Sequence, residues 1–152
     1  MDPTSEGLVL TAEVVAALVT HARSEAPNEA CGLLGGRDGQ VERIYPLPNT
    51  ESSPARYLAE PEAQVRAMMD IEERGWEIVA IYHSHPDGPA HPSAIDVEMA
   101  FYPDSPSLII SLANREQPEL RAFRIREGRI EEVALRIEER GESSKLESET
   151  EG

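Results

Sequence analysis

The sequence predicts a single α/β (α+β) domain, and three features of the chain support this class. A length of 152 residues suits one domain, which can bury roughly two-thirds of the surface of its unfolded chain. Short apolar segments typical of strands alternate with amphipathic segments of helical spacing. Three consecutive strand-like segments then favour an antiparallel meander at the end of the fold. We assign residues 1–137 to this domain.

The first half of the chain predicts a short strand, a helix and a hairpin. Residues 8–10 form the strand, and Thr11 is placed as the N-cap of a helix over residues 12–25, where apolar residues recur at helical spacing. The segments EACGLLGG and QVERIYPL then flank Asp38 and Gly39. Because this dipeptide favours a tight turn, the two segments predict the strands of a hairpin.

The second half predicts two more helices and the meander. Pro61 suits the first turn of a helix that Gly75 ends, and WEIVAIYH predicts a buried strand leading into a proline-rich loop. Ser93 begins a third helix, expected to end near Pro103. The other expected elements are a loop over residues 48–56, a short strand near Tyr57, the strands SLIISLA, LRAFRIR and RIEEVALRI, and an acidic, disordered tail over residues 138–152.

The charge of the chain argues against two classes of partner. The formal net charge is −15, which repels nucleic acid and anionic membranes. Of the 14 basic residues only Lys145 is a lysine. An acid-rich, lysine-poor surface is expected of a protein that works in high salt, where screening relieves self-repulsion. A genome rich in arginine codons explains the same bias.

The compartment is predicted from cysteine use and from the pattern of apolar residues. Cys31 has no second cysteine to pair with, which favours a reducing compartment. Residues 1–7 do not resemble a signal peptide, and the longest apolar runs are too short to span a bilayer. These features predict a soluble, cytoplasmic protein; the oligomeric state stays open.

The stretch IYHSHPDGPAHPSAIDVEMA carries the chemistry of the predicted site. His83 and His85 lie two residues apart at the end of a strand, so both imidazoles point to one face and can reach one ion. Asp96, one turn into the next helix, can add an oxygen. Two nitrogens and one oxygen leave a fourth position for water, as in catalytic rather than structural zinc sites. The prolines restrict the loop that holds these ligands.

Simpler interpretations of the same residues remain open. An H-x-H pair alone is a weak metal signal, and Ser93 with Asp96 also forms an S-x-x-D capping pattern. Both roles of Asp96 are compatible, since a cap fixes the direction of its carboxylate. His91 has no partner at ligand spacing and is interpreted as a solvated loop residue. His21, on the first helix, is interpreted as a surface residue.

Glu29 is the candidate general base. It precedes the apolar, glycine-rich strand ACGLLGG, where packing alone does not explain a carboxylate. The alternative is a solvated acid at a helix-to-strand junction, one of 23 glutamates. Spacing does not place Glu29 near His83, because 54 positions separate the two.

Taken together, these residues resemble the JAMM (MPN+) zinc metalloprotease family. The segment EACGLLGG and the later H-S-H-x7-S-x2-D pattern match its motif across Glu29, His83, His85, Ser93 and Asp96. The resemblance covers about residues 8–137. It implies a curved mixed β-sheet flanked by helices, with one catalytic Zn²⁺ at the sheet edge. It also implies that the two histidines and the aspartate hold zinc, that the glutamate is the general base and that the serine stabilises the oxyanion.

The resemblance also implies a substrate. The chain is most similar to short bacterial members of the type that frees cysteine from a ubiquitin-like sulfur-carrier protein ending in Gly-Gly. It implies hydrolysis of a peptide bond to cysteine or an isopeptide bond to lysine, and the sequence does not separate them. A glycine tail can pair as a strand beside a sheet edge, where a narrow groove excludes bulkier residues. Two alternatives are a scaffold without catalysis and a JAMM-like role in DNA processing.

Cys31 is a minor candidate at the site. On a regular strand its side chain shares a face with Glu29, so it is a possible fourth ligand or redox brake. A lone buried cysteine more often behaves as a small apolar residue. Tyr82 and Trp76 border the histidine strand and are expected in the core.

Overall fold

The computed structural model describes residues 7–98 and 105–139. In these residues, seven strands close into a barrel in the order β1-β3-β2-β4-β5-β6-β7. The elements in chain order are β1 (Gly7–Thr11), α1 (Ala12–Glu25), β2 (Cys31–Arg37), β3 (Gln40–Leu47), α2 (Pro61–Glu73), β4 (Glu77–His85), α3 (Ala94–Glu98), β5 (Ser107–Ser111), β6 (Glu119–Arg126) and β7 (Arg129–Glu138).

Local signals set the ends of several elements as predicted. The Thr11 side chain accepts a hydrogen bond from the Val14 N–H at 3.1 Å and so caps α1. Glu60 caps α2, with Pro61 in its first turn. Asp38 and Gly39 both have positive φ, which matches the twist of the β2–β3 hairpin. The tight turns therefore form where the sequence places them.

The pairing around β4 determines where the site can form. β2 runs antiparallel to both β3 and β4, and β4 pairs in parallel with β5. Cys31 lies opposite His83 in this register, so the start of β2 faces the end of β4. Because β4 has a partner on each side, the histidines lie at the edge of the sheet where a paired strand ends.

The structure adds to one expectation about the chain ends and loops, corrects another, and does not describe the residues of two more. β5, β6 and β7 form the predicted meander, but β1 also pairs in parallel with β7 and closes the sheet. The short strand near Tyr57 is only an isolated bridge between Asn49 and Ala59. The expected end of the third helix at Pro103, and residues 140–152 of the predicted tail, lie outside the described residues.

Two apolar clusters hold the helices against the barrel. The larger joins Val14, Leu18 and Ala22 of α1 to strand residues including the fully buried Tyr82. The smaller lies under α2 and includes Cys31 and Ile81, with Trp76 packed at its margin. Both aromatic residues are thus associated with the core, as predicted. Within the described residues, no helix combines the length and apolar composition needed to cross a membrane.

Candidate metal and active site

Three buried side chains converge at the end of β4. The Nε2 atoms of His83 and His85 lie 3.2 Å apart, and they lie 3.1 and 2.9 Å from Oδ2 of Asp96. The ligand atoms of the three residues all lie within 4.8 Å of one another. The strand places both imidazoles on one face, and the first turn of α3 brings the carboxylate to them. This set can hold one metal ion, as the spacing predicts.

The hydrogen bonding of His85 fits a metal ligand. Its Nδ1 lies 2.8 Å from the carbonyl oxygen of Pro89 and donates to it, so Nε2, which faces His83 and Asp96, is the nitrogen that can bind a metal ion. This arrangement is common for imidazoles that bind metal ions. Pro89 therefore restricts its loop and also determines the tautomer of His85, because its carbonyl oxygen accepts the Nδ1 hydrogen bond.

Ser93 and Asp96 form the predicted cap, and the same cap points Asp96 to the histidines. The Ser93 N–H donates to Oδ2 of Asp96 at 2.9 Å, and the Asp96 N–H donates to Oγ of Ser93 at 3.0 Å. This reciprocal pair is a capping box at the start of α3. The cap aims the carboxylate at the two histidines, and the Ser93 hydroxyl keeps its own proton available for donation.

The pKa values of Asp96 and His85 depend on the hydrogen bonds within the cluster. Burial by itself raises the pKa of Asp96, but hydrogen bonds from His83 and His85 outweigh it and hold the pKa far below its usual range. Burial lowers the pKa of His85, and the hydrogen bonds to Asp96 and Pro89 outweigh it, so the net shift is upward. A carboxylate that stays ionised is a suitable ligand for a divalent cation.

Strand register brings Glu29 to this cluster, although it is far away in sequence. The Ser84 N–H donates to the Ala30 carbonyl at 3.0 Å, and the Ala30 N–H donates to Ser84 Oγ at 2.7 Å. These bonds extend the β2–β4 register and set Glu29 opposite His85. The side chain of Ser84, between the two histidines, therefore anchors the strand that carries the candidate base.

The Glu29 carboxyl group is buried and poorly satisfied. The residue is 2% exposed, and its Oε1 atom has no hydrogen-bond partner among the described residues. Burial, with a smaller contribution from the Asp96 carboxylate, raises the pKa of Glu29 to about 8, while His85 opposes the shift. An unpaired carboxyl with a pKa near neutrality is what a proton-transfer group requires.

A cavity opens beside these groups. Its volume is about 320 Å³, and it is lined by Glu29, His85 and Ser93. Most of its remaining wall comes from the proline-rich loop over residues 86–92 and from Pro54 and Ala55. The base, one metal ligand and the serine therefore face a common space that a substrate can enter.

The other candidate residues lie outside the ligand cluster. Cys31 is fully buried with Sγ 3.7 Å from the Leu47 carbonyl, and burial raises its pKa to about 12. It packs as a small apolar residue and is not among the clustered ligands. His91 is exposed, with its ring against Phe123. His21 is not simply a surface residue: its Nδ1 lies 2.8 Å from the Tyr82 hydroxyl.

Two residues of the site were missed by the sequence reasoning. Asn49 donates a hydrogen bond to the Glu29 carbonyl at 3.0 Å, and the ring of Tyr57 stacks on that of His83 with centroids 4.8 Å apart. The segment PNTESSPAR predicts only a loop, and nothing in its spacing points to the site. Asparagine side chains often form hydrogen bonds with the backbone of such loops. Asn49 was therefore the one residue of the segment that could have indicated a structural role.

Comparison with known proteins agrees with this geometry. Residues 11–126 match the family described as prokaryotic homologues of the JAB domain. A CysO-cysteine peptidase of Mycobacterium tuberculosis is 37% identical over 134 residues, which are 87% of this chain and 92% of that protein. A probable TtuB-protein conjugate cleaving protease of Thermus thermophilus is 44% identical over 116 residues, which are 76% of this chain and 72% of that protein.

A solved structure extends the agreement to the fold. The solution structure of a protein from Desulfitobacterium hafniense is 41% identical, covers 87% of this chain and 93% of its own, and has a TM-score of 0.81. The predicted family and the mixed α/β class are thus confirmed. The chain belongs to the prokaryotic homologues of the JAB domain.

Proposed function

We propose that the protein is a zinc-dependent peptidase that cleaves the bond after the C-terminal Gly-Gly of a ubiquitin-like sulfur-carrier protein. His83, His85 and Asp96 hold the metal ion. Bound zinc supplies Lewis-acid activation of water, whose pKa it lowers to about 7. The observation that carries the proposal is the buried ligand cluster with an unpaired, buried Glu29 beside it.

The side chains of this site supply proton transfer and stabilisation of the oxyanion. Glu29 takes a proton from the attacking water and returns it to the leaving amine, a role supported by its raised pKa. The Ser93 hydroxyl donates a hydrogen bond to the carbonyl oxygen as charge develops there. The intact ligand set supports an enzyme over a scaffold, because a scaffold has no need of a buried, desolvated carboxyl group.

The substrate class is supported by relatives and by the cavity. The two curated relatives are named for cleaving CysO-cysteine and TtuB-protein conjugates. The cavity wall includes Pro54, Ala55, Pro86 and Pro89, and we place the residues before the scissile bond against it. Glycine allows close approach of the substrate backbone in such a space. We also place the protein in the cytoplasm, since its single cysteine is buried and unpaired.

Cleavage of defined conjugates tests the proposal. The zinc-loaded protein is mixed with Gly-Gly-terminated carriers of the same host, fused to cysteine, fused to a peptide, or linked to a lysine side chain. Mass spectrometry is expected to show release after Gly-Gly from at least one conjugate, and no release by Glu29→Gln. A matched conjugate ending in Val-Val is expected to resist. Intact masses for all three Gly-Gly conjugates would exclude this substrate class.

A further inference from the structure

The strongest unassigned feature is the segment over residues 48–60, which we call the Asn49 loop. The Asn49 side chain uses its full hydrogen-bonding capacity within and beside this loop. Nδ2 donates to the carbonyls of Glu29 at 3.0 Å and Arg56 at 3.2 Å. Oδ1 accepts from the N–H groups of Glu51 at 3.0 Å and Leu58 at 2.9 Å. One side chain therefore closes the loop and ties it to the residue we assign as base.

The loop holds the Glu29 backbone from both sides. Besides the bond from Asn49 to its carbonyl, the Glu29 N–H donates to the Ser53 carbonyl at 2.8 Å. Glu29 lies two residues before β2, so the bonds between Ala30 and Ser84 hold its neighbour, whereas its own N–H and C=O groups bond to the loop. Its carboxyl group also lacks a complete set of hydrogen bonds that could orient it. The strand register thus sets where Glu29 lies, and the loop supplies the direct hydrogen bonds that hold its backbone there.

The same loop contacts the metal-ligand cluster. Tyr57 stacks on His83 with an interplanar angle of 24°. His85 is oriented by the Pro89 carbonyl, but Nδ1 of His83 has no hydrogen-bond partner among the described residues. The ring of Tyr57 takes the place of the hydrogen bond that usually orients a metal-binding imidazole.

We infer that Asn49 is a positioning residue: through the Asn49 loop it sets Glu29 by its backbone and His83 by the stacked ring of Tyr57. This inference rests on the proposed function for the role of Glu29, but the geometric restraint can be measured without substrate. A misplacement of the base by about 1 Å is enough to lower the rate by about 10²-fold.

The test compares Asn49→Asp with Asn114→Asp in the zinc-loaded protein. The first change keeps the acceptor but removes both donors. Asn114 is a matched control, because its Oδ1 only accepts bonds in a remote turn. Asn49→Asp is expected to speed amide hydrogen exchange at Glu29 at least about tenfold. It should lower kcat by about 10²-fold on the conjugate cut fastest, with KM and zinc content nearly unchanged. Equal exchange or equal kcat in the two variants would overturn the inference.

A second pair of variants covers the case in which Asn49→Asp does not fold. Tyr57→Leu removes the stacked ring, whereas Tyr57→Phe keeps it. The leucine variant is expected to bind zinc about 10- to 100-fold more weakly in a chelator competition, and the phenylalanine variant to restore most of the affinity. Equal affinities would exclude the stacking role. If the wild-type protein cuts no conjugate, the proposed function fails, and exchange and zinc affinity alone decide this inference.

Discussion

The site has two halves that differ in sequence distance and in electrostatics. The ligand half, His83, His85 and Asp96, spans 14 consecutive positions and is bonded internally through one carboxylate oxygen. The base half, Glu29, is 54 positions away from His83 and has an unsatisfied carboxyl oxygen. The pKa values of the two carboxyl groups shift in opposite directions: that of Asp96 is lowered, and that of Glu29 is raised to about 8.

The difference suits the two roles that we propose for carboxyl groups in this site. A carboxyl surrounded by hydrogen-bond donors stays ionised and binds a cation, whereas a desolvated carboxyl without partners exchanges protons near neutral pH. Burial is common to both, so the partners decide the role. Removal of the Asp96 carboxyl group should therefore lower zinc binding, whereas removal of the Glu29 carboxyl group should lower kcat. The following predictions distinguish these two effects.

Asp96→Ala should have the largest effect. Without the shared carboxylate, the two histidines lose the oxygen that completes the ligand set, and the zinc content should fall below about a tenth of one ion per chain. Activity should decrease by at least about 10⁴-fold. Metal analysis of the purified protein measures the first effect. Asp87→Ala makes the same change at an exposed position of the neighbouring loop and should keep its zinc. Stoichiometric zinc in Asp96→Ala would remove this residue from the ligand set.

Glu29→Gln should lower the rate of cleavage without affecting zinc binding, and so distinguish the base half from the ligand half. The amide keeps the shape of the side chain but cannot accept the proton, so kcat should decrease by about 10²- to 10⁴-fold while zinc stays bound. Steady-state kinetics with metal analysis on the same sample measure both. Glu25→Gln, at the exposed end of α1, serves as the control and should resemble the wild-type protein. Full activity in Glu29→Gln would contradict the assignment of the base.

Ser93→Ala should affect both halves, but less strongly. It removes the proposed oxyanion donor, which costs about 10²- to 10³-fold in kcat, and it removes the cap of α3. Ser93→Thr retains the hydroxyl and should recover most of the rate. Thr11→Ala loses a cap at α1, at a cost of about 1 kcal/mol, and should leave kcat unchanged. Equal kcat in Ser93→Ala and Thr11→Ala would show that Ser93 is only a cap.

Most of the features that were predicted correctly depend on residues that are close together in the sequence. The Thr11 cap and the turn at Asp38 depend on neighbours a few residues away, and both formed as expected. The ligand half was predictable for the same reason, because a strand and the first turn of a helix determine the direction of its side chains. Only the family resemblance placed Glu29, since its position depends on which strand pairs with β4 and in which register.

Long-range contacts explain what was missed. Closure of the barrel depends on the pairing of β1 with β7, which no local pattern specifies. The role of Asn49 depends on the Glu29 carbonyl, and that of Tyr57 on the His83 ring. His21 was interpreted as a surface residue because its partner, Tyr82, belongs to a strand far along the chain. In each case a residue without a distinctive local pattern gains its role from a distant partner.

The last prediction concerns stability in the metal-free protein and not the rate of cleavage. The pKa of Glu29 rises from its ordinary value of 4.5 to about 8 on folding. Below the lower value both states are protonated, so the group has no effect. Between the two values the folded state keeps a proton that the unfolded state has released, so stability falls as the pH rises, by up to about 1.4 kcal/mol per pH unit. Above the higher value the loss is complete.

Glu29→Gln has no carboxyl proton at this position, so its stability should not decrease with pH for this reason. Urea unfolding of both proteins in chelator from pH 5 to pH 8 should show the variant gaining stability relative to the wild-type protein as the pH rises. The other ionisable groups are the same in both proteins, so the difference between the two curves reports the Glu29 carboxyl group together with its interactions with Asp96 and His85. Parallel stability curves would mean that the Glu29 carboxyl is not destabilised by burial. The electrostatic contrast between the two halves of the site would then disappear.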